Sequence, residues 1–260
     1  MKNVALITGA SSGIGKELAK IHAERGGDLV LVARSTDKLR ELKRQLEEGH
    51  GVKVLILVKD LTQTDAPQEI YQRLKEDSIE VDFLINNAGF GGVGKFHERS
   101  WETDLSMINL NIVALTALTR LFLSDFVARD RGRVLNVSST ASLMAGPLQA
   151  VYFATKAYVT SFSNALAEEM RGAKVSVSAL LPGATNTEFG AVSGMDKTPL
   201  FKSPASARKV ALDGYEGMLK GKLDIISGVS LWQRVQLALL PLAPKFLVLR
   251  ETRRLQETNS

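Results

Sequence analysis

Two groups of residues in this sequence have the types and spacing to do chemistry. The first is Tyr152-x3-Lys156, a phenol and an ammonium one helical turn apart, so that both side chains share a face. Ser139 precedes Tyr152 by thirteen residues, at the end of Asn136-Val137-Ser138-Ser139. The second group is Thr8-Gly9-Ala10-Ser11-Ser12-Gly13-Ile14-Gly15, directly after the apolar run Val4–Ile7. Glycines there allow a tight turn and let backbone N–H groups approach a pyrophosphate at a helix N-terminus, where the dipole favours negative charge. The spacing is Gly-x3-Gly-x-Gly rather than the more familiar G-x-G-x-x-G. Neither a glycine turn nor a Tyr–Lys pair says much by itself. Placement between a first strand and a first helix gives the turn its weight.

The second apolar run ends Val32-Ala33-Arg34-Ser35, where a protein that binds NAD usually carries an acid for the ribose 2′-hydroxyl. Asp28 lies at the other end of the run. A carboxylate would repel a 2′-phosphate, whereas a guanidinium pairs with it bidentately. Arg34, helped by the Ser11 hydroxyl, therefore argues for NADP(H). Asp60-Leu61 and Asn86-Asn87-Ala88-Gly89 follow the third and fourth runs, where an adenine and its ribose would lie. Asp60 either accepts from the adenine amino group or caps the next helix. Asn87, Ala88 and Gly89 either touch the nucleotide or form a turn that bonds only itself.

These residues need a scaffold, and the hydropathy pattern supplies one. Strands are expected at Val4–Ile7, Leu29–Ala33, Lys53–Val58, Phe83–Asn86, Arg133–Val137, Val175–Leu181 and Leu223–Ile226. Most are apolar throughout, as strands buried on both faces should be. Helices are expected at Gly13–Arg25, Thr36–Glu48, Thr64–Asp77, Leu105–Ala128, Gln149–Met170 and Pro204–Leu219. The alternation predicts an α/β fold: a Rossmann-type, doubly wound, parallel seven-stranded sheet with helices on both faces, binding ligands beyond the C-terminal strand ends. Residues 1–228 form one such domain, and 229–260 form a C-terminal apolar and basic helical extension.

The 260 residues are 45% hydrophobic and 23% charged, a globular balance. The absence of cysteine excludes disulfides, iron–sulfur centres and thiolate nucleophiles. His22, His50 and His97 lack metal-ligand spacing and read as surface or packing residues. The net charge of +5 is read as solvated helix faces, with no nucleic-acid partner. No cleavable signal peptide and no spanning run of 18 or so uninterrupted apolar residues is expected, so the protein is placed in the cytoplasm.

Taken together, the glycine turn, Asn86-Asn87-Ala88-Gly89, Asn111, Ser139, Tyr152-x3-Lys156 and Pro182-Gly183 resemble the short-chain dehydrogenase/reductase family, in order and approximate spacing, from Val4 to about Gly228. The resemblance implies that Tyr152 gives or takes the proton while a hydride moves between nicotinamide and a carbonyl or alcohol. It implies that Lys156 binds the nicotinamide ribose, Ser139 the substrate oxygen, and Asn111 a relay water. Ser138 and Asn109 are the competitors of Ser139 and Asn111. A free tyrosine titrates near pH 10, and an ammonium beside it is expected to lower that value. In Pro182-Gly183-Ala184-Thr185-Asn186-Thr187, Pro182, Gly183, Thr185 and especially Thr187 should pass the nicotinamide carboxamide. Residues 188–202, with little periodicity, are expected to form a mobile lid over an apolar substrate.

The sequence departs from the 3-oxoacyl-carrier-protein reductase type at Ser227-Gly228-Val229-Ser230 and in the tail that follows. Pro241 and Pro244 should split that tail into two short helices. It is left to cover the substrate cleft, dock on its own core, join a second subunit in a homo-oligomer (dimer or tetramer), or touch a membrane peripherally through 231–254. The expected protein is an NADP(H)-dependent carbonyl reductase, with a 3-oxoacyl thioester reductase, a sugar-nucleotide epimerase and a non-catalytic NADP(H)-binding regulator as alternatives.

Overall fold

In the computed structural model, which describes residues 1–201 and 203–257, alternate side chains of each central strand serve two different helix layers. In β1 (Val4–Thr8), Ala5 and Ile7 point into one core while Val4 and Leu6 point into another. Strands β2 (Leu29–Ala33), β3 (Val54–Val58), β4 (Val81–Asn86), β5 (Gly132–Val137), β6 (Val175–Pro182) and β7 (Asp224–Ser227) complete the sheet. Its order is β3-β2-β1-β4-β5-β6-β7 and every pairing is parallel. The expected seven-stranded, doubly wound sheet is therefore present.

One face is covered by α1 (Gly13–Glu24), α2 (Thr36–His50) and α7 (Ala207–Leu219), whose Leu18, Leu39, Leu42, Leu46, Val210 and Met218 are buried there. The other is covered by α3 (Ala66–Glu76), α4 (Trp101–Ala128) and α5 (Ala150–Glu169), with Ile70, Leu74, Leu118, Phe122 and Phe126 at its centre. Asp28 ties the strand beginnings together, accepting from the backbone N–H of Lys2 (2.7 Å) and Lys53 (2.8 Å). It stands at the end of β2 remote from Arg34, so its charge is spent on the fold.

Helix α4 differs from expectation in two ways. It starts earlier, at Trp101, where the Ser100 hydroxyl accepts from the Thr103 N–H. It passes through a π-helical stretch, Asn109–Ala114, in which one residue more than an α-helix requires is fitted into the turn. By length and by the mean hydropathy of 1.5 over its most apolar 18 residues it would also suit a membrane crossing, although it holds no uninterrupted apolar run of that length. Asn109, Asn111, Thr116 and Arg120 interrupt the apolar residues, and the helix packs Leu118, Phe122 and Phe126 on the sheet.

Residues 188–201, the segment expected as a lid, are largely helical despite their weak periodicity. They form α6 (Glu188–Ser193) and two single 3-10 turns, Met195–Lys197 and Pro199–Phe201. Thr187 caps α6 by accepting from the Phe189 N–H, and Gly194 ends it with φ 72°, a left-handed conformation suited to glycine. Lys202, the last residue of the expected lid, lies outside the described residues. The tail folds as two helices, α8 (Leu231–Leu239) and α9 (Lys245–Gln256), with Pro241 and Pro244 between them as expected. Residues 258–260 of the extension lie outside the described residues.

Candidate active site

The glycine turn gets its shape from close approach. Gly9 has φ 64°, and a Cβ on it would lie 2.9 Å from the Ala88 Cα. A Cβ on Gly15 would collide with the Gly9 carbonyl and the Asn87 amide. The turn is thus pressed against the end of β4, and polar contacts hold it there. The Thr8 hydroxyl accepts from the N–H of both Asn87 and Ala88 (3.0 Å each), while the Asn87 amide donates to the carbonyls of Thr8 (2.9 Å) and Gly9 (3.2 Å). Asn87 to Gly89 is therefore not a turn that bonds only itself. Thr8 escaped the sequence reading because its role exists only once β1 and β4 are neighbours.

At the start of α1, Ser12 adopts the cap conformation but its side chain accepts no hydrogen bond from the first-turn N–H groups. Those donors remain available to an anion, so the turn fits a dinucleotide pyrophosphate. Gly9, Ser11, Ser12, Gly13 and Ile14 line a cleft of about 1480 Å³ that runs over the C-terminal strand ends. Gly15 lies behind this wall. Arg34 lines the cleft beside Ser11 and Lys38, is exposed, and pairs with no carboxylate among the described residues. Lys38, which the sequence reading passed over, bridges to Glu188 at 2.6 Å. Asp60 and Leu61 line the cleft as well. Asp60 Oδ1 accepts from the N–H (3.0 Å) and the hydroxyl (2.9 Å) of Thr62, while Asp65 stands at the N-cap of α3. The helix-cap alternative for Asp60 is thereby corrected: its turn closes before the helix begins.

At the other end of the cleft, Ser139, Tyr152 and Lys156 meet. Tyr152 and Lys156 project from α5, and both are buried. Lys156 Nζ donates to the Val137 carbonyl at 2.8 Å and lies 6.0 Å from the Tyr152 ring centroid. Ser139 Oγ accepts from the Ala141 N–H (3.1 Å) and faces the cleft. Ser138, its competitor, is occupied elsewhere: its hydroxyl is buried against the Lys156 carbonyl (2.9 Å) and Thr160 (2.7 Å).

Burial pushes the Tyr152 phenol up to about 12, while a hydrogen bond with Ser139 pulls it down. Burial lowers Lys156 to about 8. The sequence argument expected the ammonium to depress the phenol, and the direction found is the reverse. Loss of hydration outweighs a cation that is directed toward Val137 rather than toward the phenol oxygen.

Asn111 sits in the π-helical stretch and does not line the cleft. Its amide donates to the Phe90 carbonyl and the Thr155 hydroxyl (3.0 Å each), and its oxygen accepts from the Phe90 N–H (3.2 Å). It therefore fastens the end of the β4 loop to α5. A Cβ on Gly89 would come within 3.0 Å of Asn111 Oδ1 and 3.4 Å of Lys156 Nζ, so Gly89 lets this junction close. Asn109 makes no such contacts among the described residues. A buried ladder, Asn86–Asn136–Ser163 (2.9 and 3.0 Å), joins β4, β5 and α5 behind the site. It too was invisible in the sequence.

Pro182, Gly183, Thr185 and Thr187 line the cleft between its two ends, where Thr185 donates to the Gly183 carbonyl (2.9 Å). Phe189 of α6 closes over the Tyr152 ring, with centroids 5.6 Å apart. The tail forms the last wall through Leu237, Leu240, Val248, Thr252 and Gln256. Of the places left open for the tail, it covers the cleft.

Residues 3–197 match the family model described as short chain dehydrogenase. The chain is 34% identical over 196 residues to the very-long-chain 3-oxoacyl-CoA reductase of Rattus norvegicus, covering 72% of this chain and 61% of that protein. It is 35% identical over 187 residues to the human 17-beta-hydroxysteroid dehydrogenase type 3, covering 70% and 59%. It thus spans about three fifths of the length of the curated relatives it matches. Among solved structures, a short-chain dehydrogenase from Sphingobium yanoikuyae in complex with NADPH superimposes with a TM-score of 0.82 at 33% identity, over 92% of this chain and 94% of that one. A 7beta-hydroxysteroid dehydrogenase gives 0.86 at 25% identity, over 96% of each.

Proposed function

The chain belongs to the short-chain dehydrogenase family, and from that premise we propose that it is an NADP(H)-dependent oxidoreductase acting on the carbonyl or secondary alcohol of an apolar substrate. The observation that carries this reading is one cleft with Ser139, Tyr152 and Lys156 at one end and the glycine turn with Arg34 at the other.

Bound NADP(H) supplies or accepts the hydride. The turn and the uncapped start of α1 hold its pyrophosphate, and Arg34 with Ser11 takes the 2′-phosphate. Ser139 donates to the substrate oxygen and stabilises the charge that grows there. Tyr152 donates its proton to that oxygen in reduction and takes it back in oxidation. A phenol held near 12 stays protonated at neutral pH, which suits the donor's part. Lys156 holds the nicotinamide ribose and supports the phenolate left behind, and Asn111 is a positioning residue that keeps the loop after β4 against α5. Phe90, Met144, Phe153 and Phe189 surround Tyr152 with apolar surface, which supports an apolar substrate.

Reduction of a 3-oxoacyl thioester is a second reading, favoured by the likeness to the rat 3-oxoacyl-CoA reductase. Following NADPH oxidation with steroids, diketones, aldehydes and acyl thioesters separates the two. Turnover of none of them, with NADPH bound, would favour a binding regulator instead.

We also propose a cytoplasmic homo-oligomer joined through the outer face of the tail, where Leu231, Trp232, Leu242 and Phe246 are all more than two-thirds exposed. Sedimentation with and without the residues after Gly228 tests this. Loss of the oligomer on truncation supports it, and co-sedimentation of the full chain with anionic vesicles would make the tail a peripheral membrane contact.

A further inference from the structure

A buried polar group without a partner weakens a fold, so one set in the wall of a cavity points to what the cavity receives. Gln256, on the last turn of α9, has no exposed surface, and among the described residues neither its amide nitrogen nor its amide oxygen has a partner. It lies in the wall of the cleft. Gln149 is equally buried and unpartnered but lies outside that wall, so it says nothing about a ligand.

The place of Gln256 along the cleft follows from its own helix. Val248, Thr252 and Gln256 recur every four residues and form one stripe of α9 facing the cleft, first apolar, then hydroxyl, then amide. Thr252 fixes the stripe, since its hydroxyl lies 3.6 Å from the Met144 sulfur. Met144 in turn packs on the cluster of Met107, Tyr152 and Phe153. Gln256 stands one helical turn, roughly 6 Å of rise, beyond the residue of that stripe that touches Met144. A molecule reaching from Tyr152 to Gln256 crosses apolar surface and ends at a group that both donates and accepts hydrogen bonds.

We propose that Gln256 is a specificity-determining residue: its amide takes a second oxygen, hydroxyl or carbonyl, at the far end of an elongated and mostly apolar ketone or alcohol whose reacting carbon lies at Tyr152. This rests on the oxidoreductase reading above and narrows its substrate class. A leucine would fill similar space without leaving polar atoms unpaired, and the amide's partner is the ligand. Because the amide is closed to water, the bond forms with a small outward shift of α9, whose outer residue Phe246 is more than two-thirds exposed and does not anchor it to the core.

The test compares methyl decyl ketone with its ω-hydroxy analogue, on the NADPH-loaded protein and on its Gln256→Leu and Gln256→Met variants. The wild type should favour the hydroxy ketone about tenfold in kcat/KM, corresponding to one hydrogen bond in a dry site, and either variant should bring the ratio to within about twofold. Equal use of the two ketones by the wild type overturns the proposal, as does a preference that survives both substitutions. Calorimetric binding of both ketones to the same loaded protein keeps the two readings apart. If neither ketone is reduced, the oxidoreductase reading fails for this class, while a tenfold tighter hydroxy ketone in the wild type alone still supports Gln256 as its receptor. Equal binding of the two overturns that role.

Discussion

The glycine-turn end of the cleft and its tail end are built differently. At the first, every wall is a strand end or the start of a helix that packs into the main cores, and Thr8 and Asn87 lock one strand end to the next. At the second, the buried cluster consists of Met107, Tyr152 and Phe153, and the outer wall is two helices with Thr252 and Gln256 as their buried residues. Rigid backbone suits a ligand recognised through its phosphates, which need fixed N–H groups. A thin wall of side chains suits a ligand recognised by shape and by one or two oxygens. The difference teaches that cofactor binding and substrate choice are held by separate parts of one cleft.

The sharpest way to break this comparison is at Tyr152. Tyr152→Phe removes the proton donor and leaves the turn untouched, so turnover should fall by about 10²–10⁴ while NADPH affinity is kept. Retention of more than about a tenth of the rate in a steady-state assay would mean another acid. Gly15→Ala should do the reverse. Its Cβ has backbone on one side and the Asn87 amide on the other, so the fold should lose about 1–3 kcal/mol in a urea titration, with NADPH binding weakened alongside. Arg34→Asp leaves both cores intact and changes only the edge of the cleft. A swing of about tenfold or more toward NADH in the ratio of kcat/KM values is expected, and an unchanged ratio would show that a neighbour such as Lys38 reads the phosphate.

The smallest effect concerns a residue behind the rigid end. His22 is buried, with ring nitrogens 2.7 Å from the Tyr215 hydroxyl and the Asn3 carbonyl, and burial lowers its pKa below the ordinary value of 6.5. A neutral ring donating to Asn3 and accepting from Tyr215 satisfies both contacts. The folded state thus binds fewer protons than the unfolded one below 6.5, so the stabilisation is complete above that pH and is lost as pH falls through the lowered value. Thermal melts across that range should show a downward slope toward acid that His22→Gln reduces.

Strands and helices were legible because burial on both faces leaves apolar runs such as Leu29–Ala33, and one-sided burial leaves the stripe Leu39, Leu42, Leu46. The glycine turn and the Tyr–Lys pair were legible because each is local, fixed by neighbours a few residues away. What escaped depends on residues brought together by the fold. The π-helical stretch at Asn109–Ala114 is a choice of hydrogen-bond register that no residue type announces. The clamp of Thr8 on Asn87 spans 79 residues. The rise of the Tyr152 phenol comes from the closure of Phe153 and Phe189 around it, which spacing to Lys156 does not contain. The lid read as irregular because its helices are under two turns long, too short to develop a periodic stripe.

The tail has a bearing on inheritance. Its helices α8 and α9 follow the last strand and bury two of their residues, so most substitutions there cost the sheet little. A mutation that alters the half-exposed, cleft-lining Leu237, Leu240 or Val248 meets weak purifying pressure from folding, and whatever selection acts there is selection on what enters the cleft. Gene duplicates of this protein can therefore drift apart in diet while keeping one chemistry, with the boundary between the two kinds of change drawn near Gly228.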